Sequence, residues 1–552
     1  MSYRRLVLSI SFWALVAGLV AALGAVMGPS ANANSDHFVA ATDNGPVRGL
    51  QTETMKKFLG IPYAAPPVGD LRWRAPQPAA PWMGVRDATQ FANHCPQPAT
   101  FMGAGSTTED CLYLNVYTPA GGWHTGQGHP VMVWIHGGAL VGGASDYYDP
   151  TKFVENEDVV VVTINYRLGI LGYLAHQALS AESPDGASGN YGFMDQQAAL
   201  EWVQRNIKNF GGDPDNVTIF GESSGGLSVH MQLASPLAAG LFDRAIIESG
   251  AYQLNTASLA TAETRGSTFA GLMGCSNQPD VAACLRALPV SAFLAASLST
   301  LAGQIAAPNV DGKVLEESIG TALQYGRFNR VPVMEGSNHD EWRLFVAASF
   351  ELPTGIATNT TNYRARVDAS FNYALSAIPF PPVPGWTVLD YVVNVLYPPI
   401  PISAPGPSIA LGVAGTDGIF ACNSRKSIRL MANFVPVFAC EFNDQTAPMS
   451  LLPPPVSGMP YGAYHAAEIP YIFNVPGSTQ NPLSPSQELL SRDMVSYWGH
   501  FARFGDPNSS STPFWPQYDP AADQFQSLNL PDPTTESGFA AAHKCSFWTK
   551  GI

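Results

Sequence analysis

The chain has 552 residues, 46% of them hydrophobic and only 13% charged, with a formal net charge of −15. That length and apolar content are enough to bury a large core. The acidic balance excludes a nucleic-acid binder held by basic surface.

Arg4 and Arg5 precede an apolar run over residues 6–27, and Ala31-Asn32-Ala33 offers a small-x-small cleavage site. Residues 1–33 therefore read as a secretion signal cleaved near Ala33. The run is long for such a signal, which leaves an uncleaved membrane anchor as the other reading. No Gly/Ser linker, charge block or repeat divides residues 34–552, which read as one domain. No later segment is both long and apolar enough to span a bilayer, so the mature chain is expected to have no membrane span.

Residues 131–135 and 159–165 are continuous apolar runs, the pattern of strands buried on both faces. Met194, Ala198, Trp202 and Ile207 follow helical spacing after the turn Gly189-Asn190-Tyr191-Gly192. Residues 217–220 form the next strand, followed by Gly221-Glu222-Ser223-Ser224-Gly225 and a helix-like stretch. Residues 244–247 and 331–335 add further strands. This alternation predicts a doubly wound, mostly parallel sheet with helices on both faces. Beyond about residue 352 the pattern loosens, and the tracts 380–384 and 398–401 are too rich in proline for regular structure. They read either as a cap over a cleft or as a surface insertion with no catalytic part.

Seven cysteines fit an oxidising compartment. Cys95 with Cys111, and Cys275 with Cys284, would each close a short loop. Of the other three, Cys440 lies in the strand-like run 434–442 and is the candidate free thiol. No Cys-x-x-Cys pair or His-x-x-x-His spacing suggests a metal.

A serine between flanking glycines, at the turn from strand to helix, is presented outward at a bend that side chains would block. The N–H of Ser224 then points at whatever Ser223 attacks. The turn His136-Gly137-Gly138-Ala139 follows another strand and can aim its N–H groups into the same cleft, so Gly138, Ala139 and Ser224 are the candidate donors to an oxyanion.

Several segments in order extend this pattern: Gly60-Ile61-Pro62-Tyr63-Ala64 with Arg72, Glu109-Asp110-Cys111-Leu112-Tyr113-Leu114-Asn115, residues 134–139, Asn165-Tyr166-Arg167, residues 189–195 and residues 220–226. From about residue 38 to its end the chain resembles the type-B carboxylesterases, the cholinesterase-like group of the α/β-hydrolase fold. The resemblance implies a central sheet beneath a loop- and helix-rich cap, and hydrolysis of a small-molecule carboxylic ester through an acyl-enzyme. It implies Ser223 as nucleophile. Glu341, in Gly336-Ser337-Asn338-His339-Asp340-Glu341, is the implied acid, with Asp340 as its local competitor. His465, in His465-Ala466-Ala467-Glu468-Ile469, is the implied base, ahead of His136, His339 and His500.

It further implies partly buried ion pairs Arg72–Glu109 and Arg167–Asp195, and disulfides Cys95–Cys111, Cys275–Cys284 and Cys422–Cys545. No cofactor is required, and the oligomeric state stays open. Glu222 either tunes the histidine or is a satisfied polar residue at the turn. The chain departs from the cholinesterases in the loop 96–110, which has Phe101 but no tryptophan, so a cation–π choline site lacks its main wall. It departs again at Ala139 and Ala466, where the family has glycine. A lipase on long-chain triacylglycerols, or a non-catalytic adhesion protein, are the alternatives.

Overall fold

A computed structural model describes residues 36–99, 103–121, 128–296, 300–376, 385–449, 451–475 and 479–549. The leader 1–33, Phe101 and the tract 380–384 lie outside these residues. In chain order the strands are β1 (Asp36–Thr42), β2 (Gly45–Gln51), β3 (Met55–Pro62), β4 (Arg86–Asp87), β5 (Tyr113–Pro119), β6 (His129–Ile135), β7 (Val160–Ile164), β8 (Gly212–Glu222), β9 (Arg244–Glu248), β10 (Ala257–Ser258), β11 (Asn309–Val310), β12 (Val333–Asn338), β13 (Val437–Phe442), β14 (Gln524–Leu528) and β15 (Thr534–Ser537).

One sheet takes the order β1-β2-β3-β5-β7-β6-β8-β9-β12-β13-β14-β15, with β4 beside β2; β10 and β11 pair separately. From β7 to β14 every neighbouring pair is parallel. The β2/β3, β3/β5, β5/β7 and β14/β15 pairs are antiparallel. The parallel centre is thus flanked by antiparallel edges.

The centre is parallel because its strands are apolar on both sides and are covered by helices on both sides. Along β6, Val131, Val133 and Ile135 join one core with Phe193, Trp202 and Leu227, while Met132 and Trp134 join another with Phe220, Phe473 and Trp498. This is the two-residue alternation of a strand, with both faces buried. Helices Tyr191–Asn206 and Ser224–Ala234 supply the first core, and helix Pro485–Phe504 supplies the second.

β8 extends back to Gly212, further than its apolar run predicts, because the polar segment before Val217 still pairs with β6 at Gly212↔His129. The region after residue 352 is more regular than its prolines suggest. Helices Tyr363–Ser376 and Gly406–Gly415 flank the proline-rich stretch and bury Val367, Phe371 and Leu411 in a core of their own. Disulfides join Cys95 to Cys111, Cys275 to Cys284 and Cys422 to Cys545, and Cys440 is a buried free thiol. Residues His37–Ile552 form one compact unit. Among the described residues no helix is long and apolar enough to cross a membrane.

Candidate active site

β8 ends at Glu222, and Ser223 bridges it to helix Ser224–Ala234 with φ 57° and ψ −120°. A non-glycine residue there is strained, at a cost of order 1–3 kcal/mol, and persists only when its surroundings fix it. Two contacts fix it: the Ser223 N–H donates to the Glu248 carbonyl at 2.8 Å, and its own carbonyl accepts from the Leu227 N–H at 2.9 Å. Gly225 brings the helix onto β6, where a side-chain carbon would collide with the Ile135 carbonyl. Ser223 is left half-buried at the C-terminal edge of the parallel strands.

The turn after β6 lies against this bend. A Cβ on Gly137 would come 3.2 Å from the Ser223 Cβ. Gly138 and Ala139 both have positive φ, at 112° and 56°. The Gly138 carbonyl accepts from the N–H groups of Val141 and Gly142, both at 3.0 Å, which closes the turn. Ser224 opens its helix, where N–H groups have no intrahelical acceptor. His136, which burial pushes down to about 4, stacks on Tyr166 with ring centres 4.4 Å apart and bonds the Gly137 carbonyl at 2.8 Å. It is a neutral support for the turn.

Glu341 follows β12 and is fully buried. Its Oε2 lies 2.6 Å from His465 Nδ1, while its Oε1 accepts from Ser249 Oγ at 2.5 Å and from the Asn338 N–H at 2.8 Å. Asp340 turns elsewhere, to Arg343 at 2.8 Å and the Ala463 N–H at 3.0 Å. His500 bonds the Asp506 carbonyl, and His339 reaches Asp340 and Gln445. His465 alone among these histidines meets Glu341. Ala466 sits at φ 70°, so the residue that replaces the family's glycine is held in the left-handed region.

The structure does not close a hydrogen bond between His465 and Ser223. The imidazole Nε2 lies 3.1 Å from Glu222 Oε1, at ion-pair distance but without hydrogen-bond alignment. Burial pulls the imidazole's pKa down, but the carboxylates of Glu222 and Glu341 together raise it above its ordinary value. Glu222 is itself pushed up to about 7 by burial, with His465 opposing and Glu341 reinforcing the shift. The turn glutamate is therefore a competitor for the nitrogen that a nucleophilic serine needs. The rings of Phe345 and Phe420 stand 5.1 and 4.9 Å from the imidazole and pack against it.

The loops behind are held by charge. Arg72 grips Glu109 through Nε at 2.7 Å and Nη2 at 2.5 Å, and Arg167 grips Asp195 through Nε and Nη2, both at 2.7 Å. Sequence reasoning missed Glu248, which ends β9 beside the elbow, and Ser249, which follows it. The signal available for them was position alone, since sites in such sheets gather at the carboxyl ends of strands.

A strained serine at a strand-to-helix bend, a glycine turn against it and a buried Glu–His pair above one sheet edge define an α/β-hydrolase. The chain belongs to the carboxylesterase family, whose model matches residues 36–548. It is 34% identical to the human (Homo sapiens) cocaine esterase over 91% of this chain and 88% of that one. It is 36% identical to a mouse (Mus musculus) acylcarnitine hydrolase over 90% and 86% of the two chains. With the fumonisin B1 esterase of Sphingopyxis macrogoltabida it shares 34% identity over 90% and 88%. A solved PNB esterase superposes with a TM-score of 0.75 and 30% identity, covering 93% of this chain and 99% of that one. The chain is a carboxylic ester hydrolase.

Proposed function

We propose that this chain is a secreted serine carboxylesterase acting on esters of short to medium acyl chains through an acyl-enzyme. Ser223 Oγ attacks the ester carbonyl as His465 Nε2 takes its proton, and Glu341 stabilises the imidazolium through Nδ1. The tetrahedral oxyanion lies on the N–H groups of Gly138, Ala139 and Ser224, each worth about 10²–10³ in rate. The intermediate collapses with His465 giving its proton to the leaving alcohol. Water then enters, His465 removes its proton, and the acid leaves as Ser223 regains its hydrogen.

The observation that carries this reading is the buried 2.6 Å contact of Glu341 with His465 Nδ1, which leaves Nε2 as the working nitrogen beside Glu222 and the elbow. In free enzymes such catalytic contacts are often loose and tighten when substrate binds. Release of Nε2 from Glu222 to Ser223 is that tightening here. Removal of residues 1–33 belongs to the same reading, and the three disulfides favour an oxidising compartment. Residues 34–552 then work as a single domain.

A chain-length series of p-nitrophenyl esters, from butyrate to oleate, tests the proposal. Activity should peak at short to medium chains and show no jump when the ester passes its micellar limit. A preference for oleate that appears only above that limit would make the protein a lipase instead.

A further inference from the structure

The carboxyl ends of five adjacent parallel strands carry a row of partners in register: Glu222 on β8, Glu248 on β9, Gly336 on β12, Cys440 on β13 and Gln526 on β14. In-register neighbours project to the same face. At Gly336 the row has no side chain, and one added there would collide with Cys440 Sγ. The gap belongs to a chamber lined by Glu248, Ser249, Ser337, Asn338, Glu468 and Trp498, together with apolar residues. It leaves about 20 Å³ for the centre of a water molecule, and roughly 10–15 Å³ suffices for one.

Two carboxylates lining this chamber each have an oxygen without a protein partner among the described residues: Glu248 Oε2 and Glu468 Oε1. Glu248 and Glu468 are 6% and 3% exposed, and no lysine, arginine or histidine lines the space. Two carboxylates could not both be ionised there without a cation, because burying an unpaired charge is prohibitive. Glu248 Oε1 accepts from the Trp498 indole at 3.0 Å, which orients the acid and leaves Oε2 as its unpartnered oxygen.

We propose that Glu248 is a positioning residue kept as a neutral carboxylic acid, whose proton bonds into the water-sized chamber shared with Glu468 and so leaves Glu222 and Glu341 as the carboxylates that act on His465. Every titratable group facing it fits this assignment. Glu222 flanks it on β8, and Glu468 lies across the chamber, its carboxyl also pushed well up by burial with Glu222 and Glu248 reinforcing. Burial pushes the Cys440 thiol on β13 well up, so it stays neutral. Helix Pro485–Phe504 contributes only Met494 and Trp498. Glu341 is tied to Ser249 and His465, while Glu335 and Glu441 alternate to the far face, where they meet Ser427 and His543. Burial, opposed by the Trp498 bond and reinforced by Glu222, pushes Glu248 up to about 8.

Loss of that proton would put a further negative charge near the elbow, where the substrate's carbonyl oxygen becomes an oxyanion. Turnover should therefore fall in alkaline solution. At a cross-strand distance of about 5 Å, a unit charge makes the fall roughly tenfold at an effective dielectric of about 50 and over roughly a hundredfold at about 20. The inference rests on Ser223 and His465 doing the chemistry, so each sample is first titrated with a fluorophosphonate probe.

The test is kcat against pH for the wild type and Glu248→Gln, each normalised to its own neutral plateau, with difference infrared spectra of both. Glutamine keeps a donor and cannot ionise. The expected result is an alkaline fall in the wild type that is lost or displaced upward in Glu248→Gln. A protonated-carboxyl band should be present in the wild type at neutral pH and gone from the variant. An unchanged alkaline limb in probe-reactive Glu248→Gln overturns the assignment. If that variant does not fold, a wild-type spectrum with no protonated-carboxyl band that titrates in the alkaline range overturns it. Failure of the wild type to take the probe would instead sink the reading of Ser223.

Discussion

Replacing Glu222 by glutamine removes the charge nearest His465 while keeping the side chain's shape. Glu222 Oε1 is 3.1 Å from Nε2. At an effective dielectric of about 20, two unit charges at that distance attract by roughly 5 kcal/mol. That is an upper bound, because Glu222 is pushed up to about 7 and shares its charge with a proton. Opposite charges at such distances typically move a titration by about 1–3 pH units. The sign follows from what the carboxylate stabilises. Glu222 favours the protonated imidazole, and only the neutral imidazole can take the serine proton. Without Glu222, His465 loses its proton at lower pH, so the acid limb of kcat/KM should move down by about 1–3 pH units. Initial rates on p-nitrophenyl butyrate across the acidic and neutral range measure it. An acid limb that stays in place, or moves upward, would refute the electrostatic role assigned to Glu222.

Glu341→Gln should lose far more activity than Asp340→Asn, because only Glu341 reaches His465; equal losses in kcat would contradict that. Ser249→Ala removes a hydrogen bond to a buried carboxylate and should cost about 1.5–3 kcal/mol of stability, read from denaturant unfolding. His465→Ala should be crippled while His500→Ala stays near wild-type kcat, and the reverse would displace the base. Replacing Cys422 and Cys545 by serine opens a loop with a sequence separation of 123 and should lower stability by about 3–5 kcal/mol, measured by urea denaturation.

The parts of this molecule legible in its sequence are those where one local pattern has one physical solution. Residues 131–135 and 159–165 could only be strands covered on both faces, and the elbow glycines announce a bend that nothing larger permits. The antiparallel strands β2, β3 and β5 are far less legible, since Lys56 and Lys57 interrupt the apolar pattern of β3. Helix Tyr363–Ser376 hides next to prolines, and its apolar stripe has meaning only against Leu411 and Trp548.

The site divides in the same way. Ser223 is visible from its own neighbours. Glu341 and His465 are separated by 124 residues, so their meeting was implied only by family register. Glu248 and Ser249 were invisible because they act through strand register, where β9 lies beside β8, and short sequence patterns do not encode that pairing. The contact that resemblance led one to expect, His465 with Ser223, is the one the resting structure gives to Glu222. Nε2 and Glu222 Oε1 lie 3.1 Å apart, at ion-pair distance but without the alignment of a hydrogen bond.

The most direct measurement is intact-mass and peptide mapping after treatment with a fluorophosphonate, on the wild type and on His465→Ala. A single adduct on Ser223 that forms readily in the wild type and hardly at all without the imidazole is the predicted result. An adduct on another serine, or full ester turnover in protein whose Ser223 is already blocked, would contradict the assignment of this hydroxyl as the acyl carrier.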